Sequence, residues 1–114
     1  MNNIIETKSF KFATRIVKLY QYLMAVKHEF VLSKQLVRSG TSIGANVAEA
    51  ERAQTRADFH AKMSIALKEA GETIYWIRLL YAGNYLTTAE YSSIEKDSLE
   101  ILAILTAICK STDN

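Results

Sequence analysis

A chain of 114 residues that is 49% apolar and 23% charged has the make-up of one globular domain with a simple core, and that composition argues against disorder. With no proline and only four glycines, it lacks the turn punctuation of an all-β protein, which points to long uninterrupted helices. The net charge of +2 is unevenly placed: residues 1–40 carry seven Lys/Arg against two acids, and residues 41–114 carry seven against ten.

In chain order, Ala13, Ile16, Val17, Tyr20, Leu23 and Met24 follow Phe10 at three- and four-residue steps, predicting a first helix over about 8–27. On its other side Lys8, Lys11, Arg15 and Lys18 share helical spacing and form an exposed cationic stripe. Lys27 and His28 stand where a helix C-terminus favours positive charge. Ser33 is the expected N-cap of a second helix over about 34–53. Thr55-Arg56-Ala57-Asp58 opens a third, about 56–83, with Phe59, Met63, Ala66, Leu67, Ala70, Ile74, Ile77 and Tyr81 on one side. Gly83-Asn84 tolerate the left-handed conformation that stops helices. Thr87-Thr88-Ala89-Glu90 starts a fourth, about 88–110, whose inner face is Tyr91, Ile94, Ser98, Ile101, Leu102, Leu105 and Ile108. Four helices with short connections predict an all-α, antiparallel up-down-up-down four-helix bundle forming a single domain over 1–114.

Residues 39–48, SGTSIGANVA, raise the question of a phosphate loop. Gly40 and Gly44 approach the right spacing, but Ala45-Asn46 stand where the Walker motif needs lysine and a hydroxyl, and the flanks are helical rather than a strand. The segment therefore reads as helix, with Gly40, Gly44 and Ala48 making a stripe that lets another backbone approach. No long charged side chain occurs over nearly three turns, so this helix is expected to be covered on more than one side. TIYWIRLLYAG is apolar around most of its circumference, and Trp and Tyr are frequent interface anchors. Gly40, Gly44, Tyr75, Trp76 and Leu79 are accordingly the expected homo-oligomer interface, unless neighbouring helices of the same chain cover both sides.

Ser39, Ser42, Asn46 and Glu49 share a stripe of helix two, and Ile65, Glu69, Glu72 and Trp76 do so on helix three. Buried polar groups of this kind set register between helices; a catalytic carboxylate pair through Glu49 and Glu72 is the sharper alternative. Asp58 and His60 are two positions apart and point in different directions on a helix. Cys109 has no internal disulfide partner and falls on the apolar side of helix four. Two distant histidines and one cysteine match no metal-ligand spacing, and no cofactor motif occurs. No apolar run reaches the roughly 18 residues of a membrane span, and MNNIIETKSF lacks the features of a signal peptide. A cytoplasmic protein with no membrane contact is expected.

The stretch Gln35–Ala50, QLVRSGTSIGANVAEA, with Ala57-Asp58-Phe59, Ser64–Ala70, Glu72-Thr73 and Trp76, resembles the four-helix-bundle proteins encoded in intervening sequences of 23S ribosomal RNA genes. Arg38, Ser42-Ile43, Asn46 and Ala48-Glu49 carry most of that likeness, which covers roughly residues 30–86 well and the outer helices more loosely. The resemblance implies a ring-like homopentamer. Through the similar accessory proteins of diversity-generating retroelements, it also implies association with nucleic acid and a reverse transcriptase. Ala50 departs from the family's usual glycine, and His28-Glu29-Phe30 from its usual proline before helix two. Two functions remain open: a non-enzymatic oligomer binding structured RNA or DNA through Lys8, Lys11, Arg15 and Lys18, or a protein-interaction scaffold with no nucleic-acid role. An enzyme using Glu49 or Glu72 is a third.

Overall fold

The computed structural model describes residues 4–113, among which it forms four helices and no strand: α1 (Ile4–Ala25), α2 (Leu32–Glu51), α3 (Arg56–Ala82) and α4 (Thr88–Thr112). Each helix packs on the next and α1 closes against α4, while the diagonal pairs stay apart, so the four form an elongated antiparallel bundle of 44 × 20 × 19 Å. Leu23, Leu36, Ile43, Val47, Met63, Ile77, Leu80 and Leu105 fill its centre. SGTSIGANVA lies wholly inside α2, which removes the phosphate-loop reading.

The buried face of α1 is Ile5, Ser9, Phe12, Ile16 and Leu23, which corrects the expected one. Phe10 is 73% exposed and Val17 also points outward, because a core centred on Phe12 and Ile16 turns both to the far side of the helix. The chain is already helical at Ile4, the first described residue, upstream of the expected position 8.

Gly40 and Gly44, expected at an interface between chains, pack at the contact of α2 with α1 of the same chain. A Cβ on Gly40 would meet Ile16 Cγ2 at 2.8 Å, and one on Gly44 would meet the Ser9 carbonyl oxygen at 3.3 Å. The missing side chains let α1 of the same chain approach, so the intrachain alternative holds for this pair.

The other edge of α2 faces α3. Thr73 donates to Ser39 across the seam at 2.9 Å, with both residues fully buried. Lys62 and Glu49 form an ion pair at 3.2 Å nearer the opposite end. Ser42 and Asn46 do not reach α3 through the recorded bonds: Ser42 donates to Arg38 O and Asn46 to Ser42 O within their own helix. Ser39 and Glu49 therefore make the cross-helix contacts of this stripe, while Ser42 and Asn46 satisfy their polarity locally.

The α1–α2 connection turns at His28, which adopts a left-handed φ of 53°, and Glu29 follows it into the interior. The Glu29 carboxylate accepts from the amides of Val31, Leu32 and Ser33 at 3.2, 3.0 and 2.7 Å. Glu29, not Ser33, thus satisfies the start of α2, because one carboxylate reaches three free donors where a hydroxyl reaches one. Ser33 instead donates its hydroxyl to Glu29 O at 2.7 Å. At α3, Thr55 accepts from the Asp58 amide as expected. At α4, Thr87 and Glu90 form the full reciprocal capping box. Asn84 takes the left-handed turn with φ of 69°, whereas Gly83 stays right-handed.

Candidate nucleic-acid interface

The four cations of α1 fall into two pairs rather than one stripe. Lys8 and Arg15, two turns apart, lie over the seam with α4, and both are half-buried. Lys8 Nζ is 3.1 Å from Glu100 Oε2. Arg15 Nη1 donates to Asp97 Oδ2 at 2.7 Å and to Ser93 O at 3.1 Å, and Nη2 donates to Ser93 Oγ at 2.6 Å. Lys11 and Lys18 lie further out, are exposed, and form no ion pair with any described residue. Half of the expected stripe is therefore neutralised within the chain. Asp97 and Glu100, which neutralise it, lie some 80 or more positions away in sequence, where helical periodicity says nothing about partners.

Two clefts open along this seam and share Arg15. The lower, about 310 Å³, is lined by Lys8, Lys11, Phe12, Arg15, Asp97, Glu100 and Ile101. The upper, about 270 Å³, is lined by Arg15, Lys18, Leu19, Tyr22, Leu86, Glu90 and Ile94, with mainly apolar walls.

The residues carrying the family likeness lie elsewhere, along α2 and α3. Arg38 is exposed, while Glu69 and Glu72 are half-buried. Glu72 accepts from Trp76 Nε1 at 3.1 Å, one turn along the same helix. Glu49 is engaged by Lys62, and Glu72 lies ten residues beyond Lys62, about 15 Å along α3. The two carboxylates are therefore not a pair that can act on one atom. Tyr75, 58% exposed, meets Trp76 edge-on at 5.1 Å, and Leu79 is exposed beside them. Above them Tyr81 and Tyr91 stack at 4.2 Å, and Tyr91 donates to Glu95 at 2.5 Å, which raises the phenol's pKa.

At the opposite end His60 bonds Thr112 Oγ1 at 2.7 Å and stands 3.4 Å from Ser64 Oγ, so its partners are not Asp58. Among the described residues no group of three or more His, Cys, Asp or Glu could hold a metal ion. No helix among them is long and apolar enough to cross a membrane.

A sequence model of the family described as 23S rRNA-intervening sequence protein matches residues 1–107. The chain belongs to this family. A crystal structure at 1.70 Å from Bacteroides thetaiotaomicron VPI-5482 is similar: a protein with unknown function from the S23 ribosomal protein family, 55% identical. It covers 94% of this chain and 99% of that one, with a TM-score of 0.92. No curated protein matches. The Bacteroides relative has the same architecture and is itself described as a protein with unknown function.

Proposed function

We propose that this chain is a non-enzymatic homo-oligomeric bundle that binds structured RNA or DNA through the outward cations of α1, as an accessory to nucleic-acid processing. The observation that carries the reading is the pair Lys11 and Lys18: exposed, two turns apart on one edge, and free of acidic partners among the described residues. Such a pair attracts phosphates with little sequence preference. Lys8 and Arg15 add to the local field but are held by Glu100 and Asp97. A family described by an intervening sequence of 23S rRNA supplies the context.

Assembly is part of the proposal. Phe10 and Val17 on α1, and Ile65, Tyr75 and Leu79 on α3, expose apolar side chains on either side of α2, whose own middle carries no long charged group. Two different apolar faces on one subunit suit head-to-tail contacts, which close into rings. A homopentamer in the cytoplasm would repeat the Lys11/Lys18 edge five times, and a reverse transcriptase is a partner class consistent with such an accessory. A scaffold that binds only protein is the competing reading, favoured by the same exposed aromatics.

Titration of a labelled RNA hairpin and a DNA duplex at low and moderate salt tests the proposal. Binding at low salt that weakens with salt and is lost in Lys11→Glu/Lys18→Glu is expected. Absence of binding at low salt leaves the scaffold.

A further inference from the structure

The upper cleft between α1 and α4 has a floor of Leu19, Leu86 and Ile94 and a rim formed by Tyr22 and Lys18. Its other charged walls are already engaged. Arg15 is clamped to Asp97 and Ser93, and Glu90 accepts the Thr87 amide at 2.8 Å in the capping box of α4, which turns it to its own helix start but leaves its negative charge on that wall, so phosphates must sit on the Lys18 side. Lys18 is exposed with no ion pair, and the half-buried Tyr22 has a hydroxyl with no hydrogen-bond partner among the described residues. Lys11 stands seven residues away on the same edge, about 10 Å along the helix.

An apolar floor, one aromatic ring with a free hydroxyl, one unpaired cation on the rim and a second about 10 Å beyond it on the same helix edge match a polyanion whose backbone carries flat rings able to leave the stack. Unpaired nucleotides have that chemistry, since their bases splay out to stack on aromatic side chains while the phosphates follow a basic track. The bases of an intact duplex cannot enter without being flipped out, at a cost in pairing and stacking. We propose that this cleft accepts one unpaired nucleobase while Lys18 and Lys11 hold the neighbouring phosphates, so that the ligand is single-stranded or looped nucleic acid. The proposal rests on the nucleic-acid reading above and narrows it.

Three probes of equal length separate the two claims in anisotropy titrations at low salt: an oligouridylate, the same backbone made of abasic riboses, and a fully paired duplex. The oligouridylate is expected to bind about tenfold more tightly than the abasic strand, the size of effect that base stacking gives. Leu19→Trp, which fills the cleft, abolishes that difference without changing abasic binding. Tyr22→Ala reduces it from the rim, so the test survives if the bulkier variant fails to fold. Lys11→Glu/Lys18→Glu weakens all three probes. Equal binding of intact and abasic strands, or tighter binding of the duplex, overturns the cleft proposal and leaves the broader reading standing. Binding of an acidic helical peptide at the cleft with no binding of any nucleic-acid probe overturns both.

Discussion

Gly40 and Gly71 both lie in helix interiors, and their surroundings make opposite demands. At Gly40 a Cβ would press on the stem of Ile16, a β-branched side chain with little freedom to move, whereas at Gly71 nothing lies within 4 Å. Gly40→Ala should lower unfolding free energy by about 1–2 kcal/mol, overpacking outweighing the gain in helix propensity. Gly71→Ala should raise it by about 0.5–1 kcal/mol through propensity alone. Denaturant melts of the two variants check both signs. At Glu29, burial raises the carboxyl pKa, but the amides of Leu32, Ser33 and Val31 outweigh it and hold the group below its ordinary value. A depressed folded pKa means the carboxylate stabilises the fold above the unfolded value of about 4.3, and that this contribution is lost as pH falls through the folded value. Glu29→Gln should therefore cost about 1–3 kcal/mol at neutral pH, with the gap from wild type narrowing in melts as pH falls below the unfolded value.

Between helices, the Ser39–Thr73 bond is the buried polar link that fixes α2 against α3. Thr73→Val should cost about 1–3 kcal/mol by leaving Ser39 without that cross-helix partner, and adding Ser39→Ala should recover part of it, as a double-mutant cycle would show. Helix existence and order, and the starts of α3 and α4, were legible in the sequence, because apolar spacing, Thr55 and the Thr87–Glu90 box are local signals. The rotation of α1 was not. Phe10, Phe12, Ile16 and Val17 support two overlapping apolar faces, and only the groove cut by Gly40 and Gly44 decides between them. The cationic stripe was half legible for the same reason: Lys8 and Arg15 can be placed on the helix from spacing, but their pairing with Glu100 and Asp97 depends on which helix closes the bundle. Glu29 carried the weak signal of an acid ahead of a helix, outshone in the sequence by the more familiar Ser33.

At the scale of the molecule, function depends on whether the bundle assembles and whether assembly multiplies a modest charge. Tyr75→Glu with Leu79→Glu should reduce the mass seen by light scattering after size-exclusion chromatography while leaving helicity intact, since both side chains are exposed in the single chain. A single protomer offers two unpaired cations on the α1 edge, which by counterion release gives a slope of about −2 in log affinity against log salt. The measurement that bears most directly on the account is this slope for a DNA duplex and for an RNA hairpin, in wild type and in Lys11→Glu/Lys18→Glu. A repeated edge predicts a slope clearly steeper than −2 for the wild type and near zero, with much weaker binding, for the variant. A shallow wild-type slope, or one indifferent to the two substitutions, would contradict it.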